Sequence, residues 1–324
     1  MNIELLFWIS FIVVFIIVFF IDIMVNARNA HTIDVKTSLL WTGIWIATAL
    51  VYGLAIYLWY PDGHAKAPLY IAGFLTEKSL SVDNLFVFIM IFTIMGVNPK
   101  HQPKIMKIGI LLSILFRLVF ILFGIALIER FHWILYVFGV LLLWTAYKMA
   151  FTDHDEEVHP EKNVLFRMAS KIFPVDHDKE TSKLFTKKNG ILHVTSLFLV
   201  IILIGSTDVM FAIDSIPAIM GITRDPFIVI TSNVFSLLGL VSLFFAIKGI
   251  MVFFRYLKHG VSFILFFIGV KMLAGIYHPI EVWFKDNSWV SLAVIGATLA
   301  VSIICSVIFK EKDETKDENA MKRD

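Results

Sequence analysis

Cysteine is almost absent from this chain, which has one, Cys305, in 324 residues. A single thiol forms no disulfide within the chain and builds no thiolate metal site. The sequence also lacks a His-Glu-x-x-His zinc motif and a serine-nucleophile motif. These absences argue against the common hydrolases, and we expect a protein that is not an enzyme.

Charge is also scarce, since Asp, Glu, Lys and Arg make up 17% of the residues, hydrophobic types make up 58% and the mean hydropathy is +0.82. A soluble domain of this size has no interior large enough for so much apolar surface. The apolar runs are continuous, whereas the strands of a membrane β-barrel alternate. About nine runs are long enough to cross the ~30 Å hydrocarbon core, at residues 3–24, 38–59, 68–95, 106–127, 131–149, 191–216, 226–247, 259–278 and 288–309. The predicted fold class is an all-α polytopic membrane protein.

Basic residues are missing before the first run, so we expect residues 3–24 to be a retained span and not a cleaved signal peptide. Most of the 28 Lys and Arg residues fall in one alternating set of loops. The positive-inside rule then predicts a multi-pass protein of the cell's plasma or inner membrane, with the N-terminus outside and the C-terminus in the cytoplasm.

The predicted domain organisation is one transmembrane domain over residues 1–310, with a cytoplasmic loop at 150–190. We expect that loop to be a solvated polar linker; a metal-sensing loop around residues 153–159 is the less favoured alternative. Residues 311–324 form a charged tail that the composition predicts to be disordered.

Three charges and an amide interrupt the third apolar run, at Glu77, Lys78, Asp83 and Asn84. Each charge costs roughly 2.5–3.5 kcal/mol at the centre of an isolated helix, against about 0.3–0.6 kcal/mol gained per large apolar residue. This helix therefore needs partners, and charges inside a membrane commonly mark ion or proton pathways. Glu77 and Asp83 would lie about 120° apart on an unbroken helix. Local unwinding at 79–81 would let both reach one cavity, as in the broken helices of transporters.

The sixth run repeats this spacing, because Asp208 and Asp214 are again six residues apart. Aligning Glu77 with Asp208 also aligns Asp83 with Asp214. Pro217 favours a helix break close to Asp214.

The third and sixth runs enter the membrane from opposite sides in this topology. We therefore predict an inverted repeat that relates the spans around 68–149 to those around 191–278. The two charged motifs would meet at the middle of the membrane.

Other polar residues inside the runs are candidate partners of these acids. Arg117 cannot lose its charge, so we expect a carboxylate on another helix beside it. Lys78 and Lys271 are further candidate counter-charges. For Asp22 a helix-end carboxylate in headgroup water is the favoured interpretation, and for Asn233 ion coordination and a hydrogen bond between helices are equally favoured. The candidate additional metal or polar contacts are Asn84, Thr207, Ser215, Asn233 and Asp22.

These segments, in this order, resemble the hallmark motifs of the TerC family over roughly residues 40–310. The matching segments are residues 77–85, 208–218, 225–229, 231–235, 256–258 and 267–272. The family is named for tellurium resistance and belongs to a larger group of membrane exporters. Several bacterial members are associated with Mn²⁺ efflux or with supplying Mn²⁺ to exported enzymes.

The resemblance implies that Glu77, Asp83, Asp208 and Asp214 are the acidic metal-site residues. Two positions depart from the family pattern: many members have Glu where Gly205 stands and Arg where Val241 stands. The loss of one residue of each sign suggests that the two were paired, and it bears on whether the full ligand set is present.

We therefore expect a transporter that exports a divalent cation, with Mn²⁺ as the favoured ion, and that has no resident cofactor. Carboxylate, amide and hydroxyl oxygens suit hard cations such as Mn²⁺, Mg²⁺ or Ca²⁺, and only the family resemblance favours Mn²⁺ among them. Protons are the candidate coupling ion, and the lipid bilayer is the expected partner, with no nucleic acid. The alternatives are a tellurite or oxyanion resistance protein and a non-transporting scaffold that delivers metal to secreted proteins.

Overall fold

The structure is a computed structural model that describes residues 3–28, 35–151, 163–176, 183–188, 191–250 and 256–308. At some helical positions, Asp83 and Asp214 among them, it describes the backbone alone. These ranges contain the helices α1 (Ile3–Arg28), α2 (Val35–Trp59), α3 (Gly63–Ile94), α4 (Gln102–Arg130), α5 (Ile134–Phe151), α6 (Val164–Ile172), α7 (Ser196–Ile222), α8 (Pro226–Leu237), α9 (Leu240–Ile250), α10 (Leu257–Ala274), α11 (His278–Asp286) and α12 (Ser288–Ile308). The strands are β1 (Val175–Asp176), β2 (Phe185–Lys188) and β3 (Ile191–Thr195).

Seven of these helices are long and apolar enough to cross a membrane: α1, α2, α4, α5, α7, α10 and α12. The pair α8 and α9 forms an eighth candidate span with a bend of 45°. The predicted class, an all-α polytopic membrane protein, is confirmed. The count of nine remains a prediction. The third run is the 32-residue α3, whose four charged residues set it apart from the seven candidate spans. The inverted repeat also remains a prediction.

Helix α3 lies at the centre of the bundle, where it packs against α2, α7, α8 and α12. The neighbouring α4 shows how the bundle separates its charged and apolar side chains. Arg117 on α4 is 2% exposed, whereas Leu115 and Val119 on the same helix are 55% and 56% exposed. Apolar side chains thus face outward, where lipid replaces water, and the charged ones are enclosed by other helices.

The helix break occurs at a different place from the two predicted ones. Helix α3 continues through residues 79–81 and α7 continues through Pro217, so the predicted breaks at these two places are wrong. The helical structure is interrupted instead between α8 and α9, where Gly239 has a φ of +73°. A Cβ at Gly239 would lie 2.2 Å from a ring carbon of Trp45 on α2. Gly is therefore required here both by the backbone conformation and by the close approach of Trp45.

The loop before α7 is more ordered than the sequence suggests. It contains α6 and a three-stranded sheet of order β1-β3-β2, in which β1 pairs with β3 in parallel and β2 pairs with β3 antiparallel. The described part of the loop thus has secondary structure that the sequence analysis did not predict, and the sixth span begins at Ser196, after β3. Residues 153–159 and 311–324 lie outside the described residues.

We predict that Gly239→Ala destabilises the protein by about 1–2 kcal/mol, the cost of a left-handed conformation for a residue with a Cβ, plus the clash with Trp45. The midpoint of thermal unfolding of the purified protein in detergent measures the effect. The matched control is Gly296→Ala in α12, where an added Cβ meets nothing within 4 Å. Equal midpoints for the two variants would show that the break does not require Gly239.

Candidate functional site

The guanidinium of Arg117 joins three helices inside the bundle. It forms an ion pair with Glu77 on α3, and its Nη2 lies 3.7 Å from Oδ1 of Asp208 on α7. Its Nη1 also lies 3.5 Å from Oγ of Ser215. Arg117, Glu77 and Asp208 are 2%, 1% and 3% exposed. The expectation that Arg117 has a carboxylate on another helix beside it is confirmed, and two predicted site acids meet at one cation.

Ser113 completes this arrangement one helical turn before Arg117. Its hydroxyl donates a hydrogen bond of 2.5 Å to Oδ2 of Asp208. Hydrogen bonds to a charged group are among the stronger ones in proteins, and a buried charge needs such partners. We call Glu77, Ser113, Arg117, Asp208 and Ser215 the charge cluster.

Several buried polar atoms on α3 and α8 have no hydrogen-bond partner among the described residues. They are Oγ1 of Thr76, Oγ of Ser81 and both polar side-chain atoms of Asn233. An unpaired buried polar group costs about 1–3 kcal/mol, so these atoms are available to water or to a cation. Helix α3 meets α8 close by, since a Cβ at Gly73 would lie 2.9 Å from Oγ of Ser232.

The other two predicted acids occupy different faces of their helices. Because α3 is continuous, positions 77 and 83 lie about 120° apart around its axis, and positions 208 and 214 on α7 do the same. The side chains of Asp83 and Asp214 lie outside what the structure describes. Among the described side chains, no three of the His, Cys, Asp or Glu types form a metal-binding group.

The predicted counter-charges have separate surroundings. Lys78 donates to backbone carbonyls of α8 and of the residue after it. Lys271 donates to the hydroxyl of Ser291 at 3.1 Å and lies 5.4 Å from the ring centre of Phe284. Arg117 alone of these three contacts two of the predicted site acids in the described part of the structure.

Asp22 is buried, at 8% exposure, and its Oδ1 accepts a hydrogen bond from Nε1 of Trp45. The expectation that Asp22 lies in headgroup water is therefore wrong.

The remaining predicted contacts are scattered: Asn84 is buried at 6% exposure, and the hydroxyl of Thr207 donates to the carbonyl of Leu203 in its own helix.

The two departures from the family pattern lie on different helices. A Cβ at Gly205 on α7 would lie 3.8 Å from Leu112 and 3.9 Å from Phe116, both on α4. These are ordinary contacts. Val241 is 1% exposed and lies in α9, just after the break.

Two cavities lie at opposite ends of α3. One has a volume of about 480 Å³ and is lined by residues including Leu69, Arg224 and Lys271. The other, of about 220 Å³, is lined by residues including Ile89 and Lys248. Glu77 lies eight residues after Leu69 and twelve before Ile89, or roughly 12 and 18 Å along the helix. Neither cavity is lined by Glu77, Arg117 or Asp208, so the charge cluster is enclosed between them.

Some of these features had no clear signal in the sequence. The role of Ser113 was missed, because a serine in an apolar run is common and its partner lies 95 positions away. The break at Gly239 had a weak signal, a glycine in the middle of an apolar run.

The buried charge cluster within a bundle of apolar helices defines an integral membrane protein whose ionic groups face the interior. The chain belongs to the integral membrane protein TerC family, whose model matches residues 62–314. The resemblance seen in the sequence is thereby confirmed, and the matched region includes α3, α4 and α7.

Relatives in three bacteria match nearly the whole chain. An uncharacterized membrane protein of Myxococcus xanthus is 39% identical over 97% of this chain and 96% of its own length. A protein of Escherichia coli K12 named "Putative membrane-bound redox modulator Alx" is 38% identical over 92% of this chain and 93% of its own. An uncharacterized membrane protein of Rickettsia bellii is 36% identical over 94% of this chain and 97% of its own. No solved structure matches the chain.

We predict that Arg117→Met destabilises the protein by about 3–5 kcal/mol, because it leaves the carboxylates of Glu77 and Asp208 buried without a cation. Adding Glu77→Gln should recover part of this loss, since one of the two uncompensated charges is then removed. Thermal unfolding in detergent measures both effects.

Arg130→Met is the matched control, because Arg130 ends the same helix and is exposed. We expect it to change stability by less than about 0.5 kcal/mol. An Arg117→Met protein that unfolds at the temperature of this control would contradict the energetic role of the charge cluster.

Proposed function

We propose that this protein is a membrane transporter that exports a divalent metal cation, and that the cation is Mn²⁺. The observation that carries the proposal is the enclosed charge cluster of Glu77, Arg117 and Asp208 between two cavities at opposite ends of α3. A transporter needs a binding region that is closed to both sides at one point in its cycle. This arrangement has that property.

The sign of the cluster favours a cation. Two carboxylates and one guanidinium leave one negative charge when all three are ionised. Oxyanions such as tellurite would be repelled by this excess, which argues against the oxyanion alternative. Asp83 and Asp214, which belong to the same two helices, would add further negative charge.

The donor atoms favour a hard cation. Carboxylate oxygens of Glu77 and Asp208, hydroxyls of Thr76 and Ser81 and the amide oxygen of Asn233 are all oxygen donors. Mn²⁺, Mg²⁺ and Ca²⁺ prefer such ligands, whereas Cu(I) prefers sulfur. The association of several family members with Mn²⁺ is the reason for choosing Mn²⁺ among these ions.

Arg117 then acts as an internal cation that pairs with the carboxylates when no metal is bound. In the proposed cycle Mn²⁺ enters through the cavity near Ile89, displaces Arg117 from Glu77 and Asp208, and leaves through the cavity near Leu69. Protons taken up by the carboxylates would drive the return step. The competition between Arg117 and Mn²⁺ would keep the affinity low enough for release.

The charge distribution supports the proposed orientation in the membrane. Lys and Arg concentrate in the loop before α7, in the tail and in the other loops on that side. We propose the inner membrane, with the N-terminus outside, so the cavity near Ile89 faces the cytoplasm.

The name of the Escherichia coli relative suggests redox modulation as another function. The chain has one cysteine, Cys305, so it has no dithiol pair for exchange within one molecule. A scaffold that only delivers metal to other proteins does not require two cavities at opposite ends of one helix. Export is therefore the function that we propose.

We predict that Asp83→Asn and Asp214→Asn each abolish Mn²⁺ flux, because each removes a candidate ligand charge. Asp208→Asn should reduce the flux at least about tenfold, which corresponds to the loss of about 1.4 kcal/mol of binding or barrier free energy. The assay is purified protein in liposomes that contain a dye quenched by Mn²⁺.

Asp286→Asn is the matched control, because Asp286 is exposed at the end of α11. Its flux should equal that of the unmodified protein, and size-exclusion profiles should show that all the variants remain folded. Unchanged flux in both Asp83→Asn and Asp214→Asn would remove these two residues from the site. No flux from the unmodified protein would favour the scaffold.

A further inference from the structure

The break between α8 and α9 leaves backbone carbonyls without partners in their own helix. Helix α8 ends at Leu237, and α9 begins at Leu240 with its axis turned by 45°. The last carbonyls of any helix lack intrahelical hydrogen bonds. In the interior of a membrane protein these carbonyls need another partner, because lipid offers none.

Lys78 supplies that partner from α3. Its Nζ donates hydrogen bonds to the carbonyl oxygens of Ser236 at 2.9 Å and Leu238 at 3.0 Å. The side chain is buried, at 9% exposure. The carbonyl end of a helix carries partial negative charge, so the ammonium group is at the favourable end of α8.

The surroundings of this ammonium group also suit a cation. Asp22 on α1 is connected to the same break through Trp45. Asp22 is held by Trp45 through a hydrogen bond of 3.0 Å, and the ring of Trp45 packs against Gly239 at the break. Backbone carbonyl oxygens at the C-terminal end of an interrupted helix coordinate small cations in membrane transporters.

We propose that the end of α8 is a binding site for a small monovalent cation and that the Lys78 ammonium is its built-in occupant. The ligand class is ammonium, alkylammonium or an alkali cation held by the carbonyls of Ser236 and Leu238. The tethered charge lets the broken span keep its shape without a bound mobile ion. This site is separate from the charge cluster, because Glu77 and Lys78 point from α3 to different helices.

The consequence is that removal of the side chain creates a need for a free cation. Lys78→Ala leaves the two carbonyls unpaired and leaves a space where the lysine side chain was. Methylammonium is the best-matched probe, because it has the same ammonium group as the lysine side chain, attached to one carbon. Potassium, which has no N–H donors, tests whether the carbonyl oxygens bind a bare cation.

The experiment measures the thermal midpoint of purified Lys78→Ala in detergent, in a buffer whose only added cation is the bulky N-methyl-D-glucamine. We expect this midpoint to lie several degrees below that of the unmodified protein. Methylammonium chloride should raise it in a saturable manner, whereas N-methyl-D-glucamine chloride at the same ionic strength should not. The midpoint of the unmodified protein should not respond to methylammonium.

Two further variants make the result specific. Lys78→Met fills the space with an apolar chain, so its midpoint should be low and should not respond to methylammonium. Lys271→Ala removes another buried lysine, one that binds a hydroxyl and an aromatic ring, and methylammonium should not restore it.

The proposal is overturned if methylammonium has no effect on Lys78→Ala, or if it stabilises Lys271→Ala equally. If Lys78→Ala yields folded protein only when methylammonium is present throughout purification, that dependence supports the site. A yield that stays at zero with the amine also overturns it. No metal ion enters these measurements, so failure of the export proposal would leave this result unchanged.

Discussion

The ion pair between Arg117 and Glu77, extended to Asp208, is the interaction on which the interior of this protein depends. A charge at the centre of a lone helix costs roughly 2.5–3.5 kcal/mol in the hydrocarbon region, so α3 needs α4 and α7 beside it to compensate Glu77. The three helices are therefore held together by electrostatics as well as by packing. Removal of Arg117 would leave two buried carboxylates uncompensated, whereas removal of either acid would leave the other one paired with Arg117.

A second electrostatic contact organises the same central helix on its other side. Lys78 follows Glu77 directly, and two consecutive residues of a helix are about 100° apart, so one meets α8 while the other meets α4. Adjacent opposite charges on α3 thus serve different neighbours and do not neutralise each other. In the centre of the bundle, each of these two charges therefore contacts one particular neighbouring helix.

The sequence predicted most of the helices, because a run of about 20 apolar residues has few other uses. It also predicted that Arg117 needs a carboxylate, but it placed the buried Asp22 in headgroup water. It did not predict the helix break: serines and Pro217 suggested breaks, yet a neighbouring helix can satisfy a proline within a span. The actual break lies at Gly239, where the close approach of Trp45 leaves no room for a Cβ. A glycine in an apolar run is only a weak local signal, and the contact with Trp45 leaves none.

The enclosure of the charge cluster between two cavities has an electrical consequence. The 20 residue steps from Leu69 to Ile89 extend about 30 Å along α3, roughly the thickness of the hydrocarbon core, so an ion that passed from one cavity to the other would cross most of the membrane voltage. Moving a doubly charged ion through that section against the field requires about 4.6 kcal/mol per 100 mV, twice the figure for one elementary charge. A cycle that returns two protons for each such ion would be electrically silent, and its direction would then depend on concentration gradients alone.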